Sequence, residues 1–286
     1  MSLLKALSRV LLLITILFIT SQSSTYADGG FPVRPGRLLI SPSISYFFAN
    51  SQWDSTGVKR SFADGGRFSS IGVTLYAEYG ISRRWALVAT LPYVYNNYIQ
   101  NVAPTSTVSS GLTDLETGIR YYLANIKFIY YFSLQGTAIT PMYTNNPSLG
   151  YGEEGAELKL ALSGSGHLFG DNSYFNLYDG VRQYFGTDGP WQNRFGATYG
   201  LSLDKKFMNQ VSLGVSGINS FSDNKSFSPI PETDKDFSFI QASVSYGHSF
   251  TREFSVFITG GQFLTGRNTG VGTTGSLAFI YRLDYR

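Results

Sequence analysis

The chain has 286 residues, of which 43% are hydrophobic, 16% aromatic and 14% charged, with a net charge of +3 and no cysteine. The charged fraction is well below the roughly 25% usual in soluble domains, and the chain is too apolar to be disordered. The lack of cysteine excludes disulfides and thiol chemistry. Nucleic acid requires a clustered basic face, so no nucleic-acid partner is expected.

Residues 1–27 have the pattern of a secretory signal peptide. Lys5 and Arg9 form a basic start, and 10–19 is almost wholly apolar. The small residues that follow end at Ala27, after which cleavage is predicted. The alternative is an N-terminal anchor, but the apolar stretch is about half of the roughly 20 residues that a spanning helix needs. Residues 28–36 are expected to form a short, unpaired periplasmic lead-in.

From residue 37 onward, apolar and polar residues alternate with period two, as in half-buried β-strands. In the clearest segment Leu158, Leu160 and Leu162 oppose Glu157 and Lys159. The pattern predicts about twelve strands, at 37–48, 67–80, 84–96, 111–124, 126–139, 153–166, 174–185, 192–204, 208–219, 236–249, 253–264 and 273–285.

Connections after the even-numbered strands are short, whereas those after odd-numbered strands include the long loops 49–66, 97–110, 140–152 and 220–235. An even strand number with short turns on one side and long loops on the other is typical of outer-membrane barrels. Spanning strands must close on themselves, because unpaired backbone groups are costly in hydrocarbon. The sequence therefore predicts an all-β, closed, antiparallel transmembrane barrel over 37–286, in the outer membrane of a Gram-negative bacterium. The alternative is a secreted β-sandwich or lectin-like fold.

Aromatic residues near the strand ends are expected to form two girdles in contact with outer-membrane lipid. The final strand closes on Tyr285, followed by Arg286, and the barrel-assembly machinery is expected to recognise this end during biogenesis. The predicted girdle residues are Tyr46, Phe47, Tyr79, Trp85, Tyr93, Tyr95, Tyr121, Tyr122, Trp191, Tyr199, Tyr246, Tyr281 and Tyr285.

Charged residues on the polar strand faces are expected to line the lumen, because Arg or Lys facing lipid at mid-depth costs about 2–4 kcal/mol. They could form a paired network that only satisfies buried charge, or a constriction that selects solutes. Because the end strands must pair, Arg282 and Asp284 are expected beside first-strand residues such as Ser41 and Ser45. The lumen candidates are Glu78, Asp114, Glu116, Arg120, Glu157, Lys159, Arg182, Arg194, Arg282 and Asp284.

Enzyme chemistry has little support. His167 and His248 fall at the ends of even-numbered strands, and His248 and Ser249 should point to opposite faces of one strand. Two G-x-G-x-x-G matches, at 150–155 and 270–275, run into predicted strands rather than helices, so nucleotide binding is not expected. No metal-ligand spacing stands out, and neither a catalytic residue nor a cofactor is predicted.

Two stretches resemble a known family. Residues 80–95 read G-I-S-R-R-W-A-L-V-A-T-L-P-Y-V-Y, and residues 111–123 read G-L-T-D-L-E-T-G-I-R-Y-Y-L. An L-P-Y strand followed by G-x-x-D-L-x-x-G-x-x-Y resembles the outer-membrane barrel family labelled for the meta-pathway of phenol degradation. The resemblance implies an outer-membrane barrel that handles small aromatic or other hydrophobic compounds. The matching positions are Pro92, Gly111, Asp114, Leu115, Gly118 and Tyr121.

The leading hypothesis is a passive channel or transporter for small solutes, with aromatics near 97–110 available to capture a hydrophobic ligand. On this hypothesis, replacing Glu116 and Arg120 should change ion selectivity. A second hypothesis is a structural or adhesive barrel that acts through the loops 49–66 and 220–235. A third is an outer-membrane lipid hydrolase.

Overall fold

A computed structural model describes residues 30–101, 106–144, 149–168, 171–186, 189–223, 226–229 and 232–284. The predicted signal peptide, its cleavage site and Tyr285 lie outside these residues.

Twelve long antiparallel strands in this part of the chain form one closed barrel, which confirms the predicted fold. Each strand pairs with its neighbours in sequence, and the first pairs with the last. Residue Thr113 interrupts β4 and divides it into two segments. The strands are β1 (Arg37–Ala49), β2 (Arg67–Gly80), β3 (Trp85–Ile99), β4 (Ser106–Leu112 and Asp114–Ile126), β5 (Tyr130–Pro141), β6 (Gly155–Leu168), β7 (Asp171–Tyr184), β8 (Trp191–Ser202), β9 (Asn209–Phe221), β10 (Ser238–Ser249), β11 (Phe254–Arg267) and β12 (Thr273–Asp284).

The burial pattern is the reverse of that in a soluble protein. On β6, Leu158 is 58% exposed, whereas the adjacent Glu157 is only 7% exposed. The same alternation, with apolar residues outside and polar residues inside, recurs on the other strands. Apolar side chains therefore form the outer surface, as expected for strands that face hydrocarbon.

The two ends of the barrel differ, and we call them the turn end and the loop end. At the turn end the connections are 81–84, 127–129, 169–170, 203–208 and 250–253, all short. At the loop end, 50–66, 142–154 and 222–237 are the longest. Two smaller sheets lie in the loops: Ser51–Trp53 with Lys59–Ser61 and Thr269–Gly270, and Ser226–Pro229 with Glu232–Asp234. A short 3-10 turn spans Ala63–Gly65.

Two connections differ from prediction. Most of the expected loop 97–110 is strand, because β3 continues to Ile99 and pairs with Ser106–Leu112. The turn expected at Asn125 lies at 127–129, where Lys127 and Phe128 both adopt positive φ. A register shift between Tyr122 and Ala124 lets the hairpin extend before it turns.

The closing register also differs from prediction. Arg282 pairs with Leu39 and Asp284 with Arg37, whereas Ser45 pairs with Ser276. The strands pair as predicted, but their offset depends on the geometry of closure rather than on composition.

Of the predicted girdle residues, Phe47 and Tyr122 are on the inner face. Phe47 packs against the inner-face Phe68, and Tyr122 is 7% exposed. Phe47 follows the outward-facing Tyr46, and Tyr122 follows the outward-facing Tyr121. Because successive side chains on a strand point to opposite faces, Phe47 and Tyr122 point inward. Strands follow both G-x-G-x-x-G segments, at Gly155 and Thr273. No helix in the described part of the chain is long and apolar enough to cross a membrane.

Candidate functional site in the barrel lumen

The loop-end half of the lumen carries a group of paired charges on one wall. Arg182 donates from Nη2 to Glu116 Oε1 at 2.6 Å and from Nε to Glu157 Oε2 at 2.8 Å. Arg194 Nη1 lies 3.4 Å from Glu157 Oε2. We call these four residues and Asp114 the lumen charge cluster. Because its arginine and glutamate side chains bind one another, their opposite charges largely compensate each other within the cluster.

Strand order explains how the cluster forms. In the register of β6 and β7, Arg182 stands directly opposite Glu157. Glu116 on β4 and Arg194 on β8 face the same lumen from either side of this pair. The Arg182 and Glu157 side chains are 5% and 7% exposed, whereas those of Arg194 and Glu116 are 33% and 26% exposed. Arg194 and Glu116 are therefore more exposed to the lumen than the buried pair of Arg182 and Glu157.

A second charge network lies in the turn-end half. Arg120 Nη1 contacts both carboxylate oxygens of Glu78, at 3.1 and 3.0 Å. Its Nε and Nη2 atoms donate to Gln135 Oε1 at 2.9 and 2.7 Å, and Tyr76 donates to Glu78 Oε2 at 2.8 Å. Arg120 and Glu78 are each 2% exposed. This network is sealed from the lumen solvent, so its geometry favours a structural role.

The segment that precedes β1 helps to seal this network. Tyr122 Oη accepts a hydrogen bond from Val33 N at 3.2 Å and lies 2.9 Å from Phe31 O and 3.0 Å from Glu78 Oε1. Gly30 N donates to Ser163 Oγ on β6. We call residues 30–36 the N-terminal strap. They run across the inner wall from β2 to β6 without joining the sheet.

A loop folds inward at the other end. The ring of Tyr151 packs edge-on against Tyr184 with centroids 4.7 Å apart, and its hydroxyl accepts from Gln192 Nε2 at 3.1 Å. We call 142–154, in the part that the structure describes, the inward loop. Burial raises the pKa of Tyr151 well above its ordinary value, so the phenol remains protonated.

A second tyrosine ties the inward loop to the barrel wall. Tyr143 donates to Asp114 Oδ1 at 3.1 Å and accepts from Gly152 N at 2.8 Å. Gly152 has a φ of +71°, a conformation that favours glycine. Sequence reasoning missed both loop tyrosines, although the position of Tyr151 between two glycines could have indicated an ordered loop.

The opposite wall has a different character. β9 to β12 and β1 face the lumen mainly with hydroxyl and small side chains, such as Ser212, Ser243 and Thr259. Towards the loop end an aromatic strip follows, in which Phe239 stacks on Phe263 at 4.3 Å and Phe263 meets Phe47 at 5.6 Å. The lumen therefore has a charged wall and a weakly polar wall that ends in aromatic rings.

Tyr98, the aromatic residue in the segment 97–110, does not line this surface. It is 6% exposed and packs edge-on against Phe62, with ring centroids 5.8 Å apart. The aromatic strip is instead on the facing strands.

A cavity of about 470 Å³ lies at the turn end. Its lining includes Ser165, Asn172, Tyr174 and Gln210, which belong to β6, β7 and β9. Among the described residues, the strap covers the inner wall from β2 to β6, and this cavity lies against the wall that β6 to β9 form.

The other predicted lumen residues are dispersed. Lys159 is buried at mid-barrel, with Nζ 5.7 Å from the centroid of the Tyr178 ring. Arg282 donates to Ser255 Oγ at 3.1 Å. Asp284 pairs with Arg37 at the rim, where its side chain is 60% exposed. The predicted lumen charges therefore form two separate clusters, and the remaining ones lie apart from both.

His248 lies on the outer face at the turn end. Its Nδ1 is 2.7 Å from Asn209 Oδ1, and its ring packs edge-on against Phe250 at 4.5 Å. The neighbouring Ser249 Oγ is 2.9 Å from Ser255 Oγ. His248 and Ser249 therefore do not form a nucleophile–base pair. The side chain of His167 lies outside the described residues.

These features define the fold class of an outer-membrane β-barrel. An outer-membrane channel from Pseudomonas putida F1 matches 92% of this chain and 100% of its own, with a TM-score of 0.68 and 14% identity. The β domain of the Bordetella autotransporter BrkA matches 86% of this chain and 99% of its own, with a TM-score of 0.52 and 12% identity. The porin NanC matches 84% of this chain and 100% of its own, with a TM-score of 0.50 and 8% identity. No family model matches the sequence, and no curated protein does.

Proposed function

We propose that this protein is an outer-membrane channel through which small solutes diffuse passively. The observation that carries the proposal is the pair of partly exposed charges, Glu116 and Arg194, on the lumen wall between the inward loop and the N-terminal strap. A barrel of twelve strands encloses a lumen of intermediate width. It is wider than the filled interior of eight-stranded barrels and narrower than the open channel of porins with 16–18 strands. Two folded-in segments narrow it further, so the passage suits small solutes.

The orientation follows from the two ends. Outer-membrane barrels have short periplasmic turns and long extracellular loops. The turn end is then periplasmic, with the N-terminal strap at the exit, and the inward loop narrows the extracellular entrance. Residues 1–27 would direct export, the barrel-assembly machinery would insert the chain, and outer-membrane lipid would surround it.

We propose small aromatic or other hydrophobic compounds as one class of solute. The aromatic strip of Phe47, Phe239 and Phe263 offers apolar contact near the entrance. The resemblance to the phenol meta-pathway family points in the same direction, and one of its positions, Asp114, belongs to the lumen charge cluster. Transport needs no covalent step, and we propose that the protein is not an enzyme.

The test is single-channel conductance of residues 28–286 refolded into a planar bilayer, after heat-modifiable gel migration has confirmed folding. Steady openings are expected, and phenol or benzoate on the loop side should reduce the current reversibly. A folded barrel without openings would contradict the channel. Openings whose current neither compound reduces would contradict only the proposal of aromatic solutes.

A further inference from the structure

The short turns share a composition, and the proposed role of the lumen does not account for it. Each of the four turns that the structure describes joins one or two basic residues to a large apolar residue that is more than half exposed. The basic residues, which we call the basic collar, are Arg83, Arg84, Lys127, Lys205, Lys206 and Arg252. Their apolar companions are Ile81, Phe128, Leu203 and Phe250.

Two of these turns show that the collar belongs to the outer surface. Arg84 Nη1 donates to the outward-facing Tyr121 at 3.1 Å, and Tyr121 packs against Trp85 with ring centroids 4.4 Å apart. Phe250 stacks on the outward-facing Phe254 at 5.6 Å. Basic side chains next to exposed aromatic rings are typical of the level at which a membrane changes from acyl chain to headgroup.

The collar charges have no acidic partner among the residues that the structure describes. None of the six basic residues forms an ion pair with another residue in the described part of the chain. Of the two acidic residues on the short turns, Asp204 accepts hydrogen bonds from the backbone of its own turn, at Lys206 N (2.8 Å) and Met208 N (3.1 Å). Glu253 is the other.

The two ends of the barrel therefore differ in charge. The short turns contain six basic and two acidic residues, whereas the six connections at the loop end contain four basic and nine acidic residues. A general need for surface charge would not separate the signs in this way. The excess of positive charge marks the turn end as the one that favours an anionic surface.

We infer that the basic collar binds the headgroups of anionic phospholipids in the leaflet at the turn end, with the apolar companions inserted among the acyl chains. This inference rests on the proposed membrane location. The collar residues lie on turns after β2, β4, β8 and β10, on more than one side of the barrel, as annular lipids do. A single protein partner would instead require a contiguous patch on one side. Each basic side chain near an anionic leaflet strengthens the attraction.

The chain offers a fluorescent reporter for this leaflet. Trp85 is next to the collar, whereas Trp191 stacks on Phe221 at the loop end and Trp53 is buried there. A protein with Trp53→Phe and Trp191→Phe therefore reports on the turn end alone. It would be reconstituted with phosphatidylcholine or phosphatidylglycerol whose acyl chains are brominated, and the quenching of Trp85 would be compared.

The expected result is that phosphatidylglycerol binds near Trp85 with a relative affinity roughly threefold or more above phosphatidylcholine, and that high salt abolishes the difference. Changing all six collar residues to glutamine should remove the preference. Changing Arg83, Arg84 and Arg252 to lysine should keep it. A matched protein with Trp191 as its single tryptophan should show a weaker preference.

Equal quenching by the two lipids in the unmodified collar would overturn the inference, and so would a preference that survives the glutamine changes. If the glutamine variant does not fold, the salt series on the unmodified collar decides. Conductance of the same preparations separates this inference from the proposed function. A barrel that shows the lipid preference but no conductance contradicts only the proposed channel function. A barrel that conducts but shows no lipid preference contradicts only the inference about the collar.

Discussion

The hydroxyl oxygen of Tyr122 lies 2.9 Å from the carbonyl oxygen of Phe31, to which it donates a hydrogen bond, and thereby fastens the N-terminal strap to the wall of the barrel. The same oxygen accepts the N–H of Val33 and lies 3.0 Å from the Glu78 carboxylate. A segment outside the sheet is thus joined to the buried network around Arg120.

This contact predicts that Tyr122→Phe loosens the strap. Each lost hydrogen bond should weaken its attachment by about 1 kcal/mol, so the turn-end mouth should open more often. Single-channel recordings should show a larger mean conductance with more frequent transitions. Tyr121→Phe is the matched control, because that hydroxyl faces outward and bonds to Arg84. Equal conductance in the Tyr122 variant and the native chain would show that the strap does not limit the current.

The partly exposed charges of Glu116 and Arg194 predict opposite changes in ion selectivity. Arg194→Gln removes a positive charge from the lumen surface and should shift the reversal potential towards cation preference. Glu116→Gln should shift it towards anion preference, while Arg182 keeps Glu157 as a partner. Asp284→Asn, at the rim, is the control and should have little effect, since its charge is exposed and paired with Arg37. Shifts of the same sign in both lumen variants would contradict an electrostatic role.

The sealed network predicts a stability effect rather than a selectivity effect for Arg120. Arg120→Met leaves the Glu78 carboxylate buried without its cation and should lower the free energy of unfolding by about 3–5 kcal/mol. Arg37→Met removes an exposed pair and should cost at most about 1 kcal/mol. Urea titrations of the refolded barrels, followed by heat-modifiable migration, measure both. A stable Arg120→Met barrel with altered ion selectivity would support the original sequence interpretation instead.

The inward loop predicts that Tyr151→Ala widens the loop-end entrance. The substitution removes the packing on Tyr184 and the hydrogen bond from Gln192, so the loop loses one of its two tyrosine anchors. Conductance should rise, and the current block by a bulky uncharged polymer added on the loop side should shift to larger polymer sizes. Tyr246→Ala, on the outer face at the turn end, is the control. An unchanged size cutoff would mean that another element sets the entrance.

Asp54 predicts a pH dependence in the small sheet of the loops. Its pKa is lowered, first by the hydrogen bond from the Thr56 hydroxyl and then by Arg60. Because the folded pKa lies below the unfolded value of about 3.9, the stabilisation is present above that value and is lost as the pH falls through the folded pKa. Carboxyl NMR should show Asp54 charged at a pH where an ordinary aspartate is half protonated. Titration near pH 4 would contradict these hydrogen bonds.

The sequence alone determined the barrel, and the reason is local. Period-two alternation records which face of each strand meets lipid, so strand positions, strand number and the alternation of short and long connections could be read without a structure. The same parity predicted that Glu157 and Arg182 face inward. It also separated Ser249 from His248.

Only the tertiary structure decided what the lumen contains. Alternation shows that Arg120 and Arg194 both point inward, but it does not show that one is sealed beneath the N-terminal strap and the other is partly exposed in the lumen. That difference depends on segments that leave the sheet, residues 30–36 and the inward loop, whose contacts with Tyr122 and Tyr184 join residues far apart in sequence. Such contacts have no periodic pattern in the sequence. They form only when closure of the barrel brings these distant residues together.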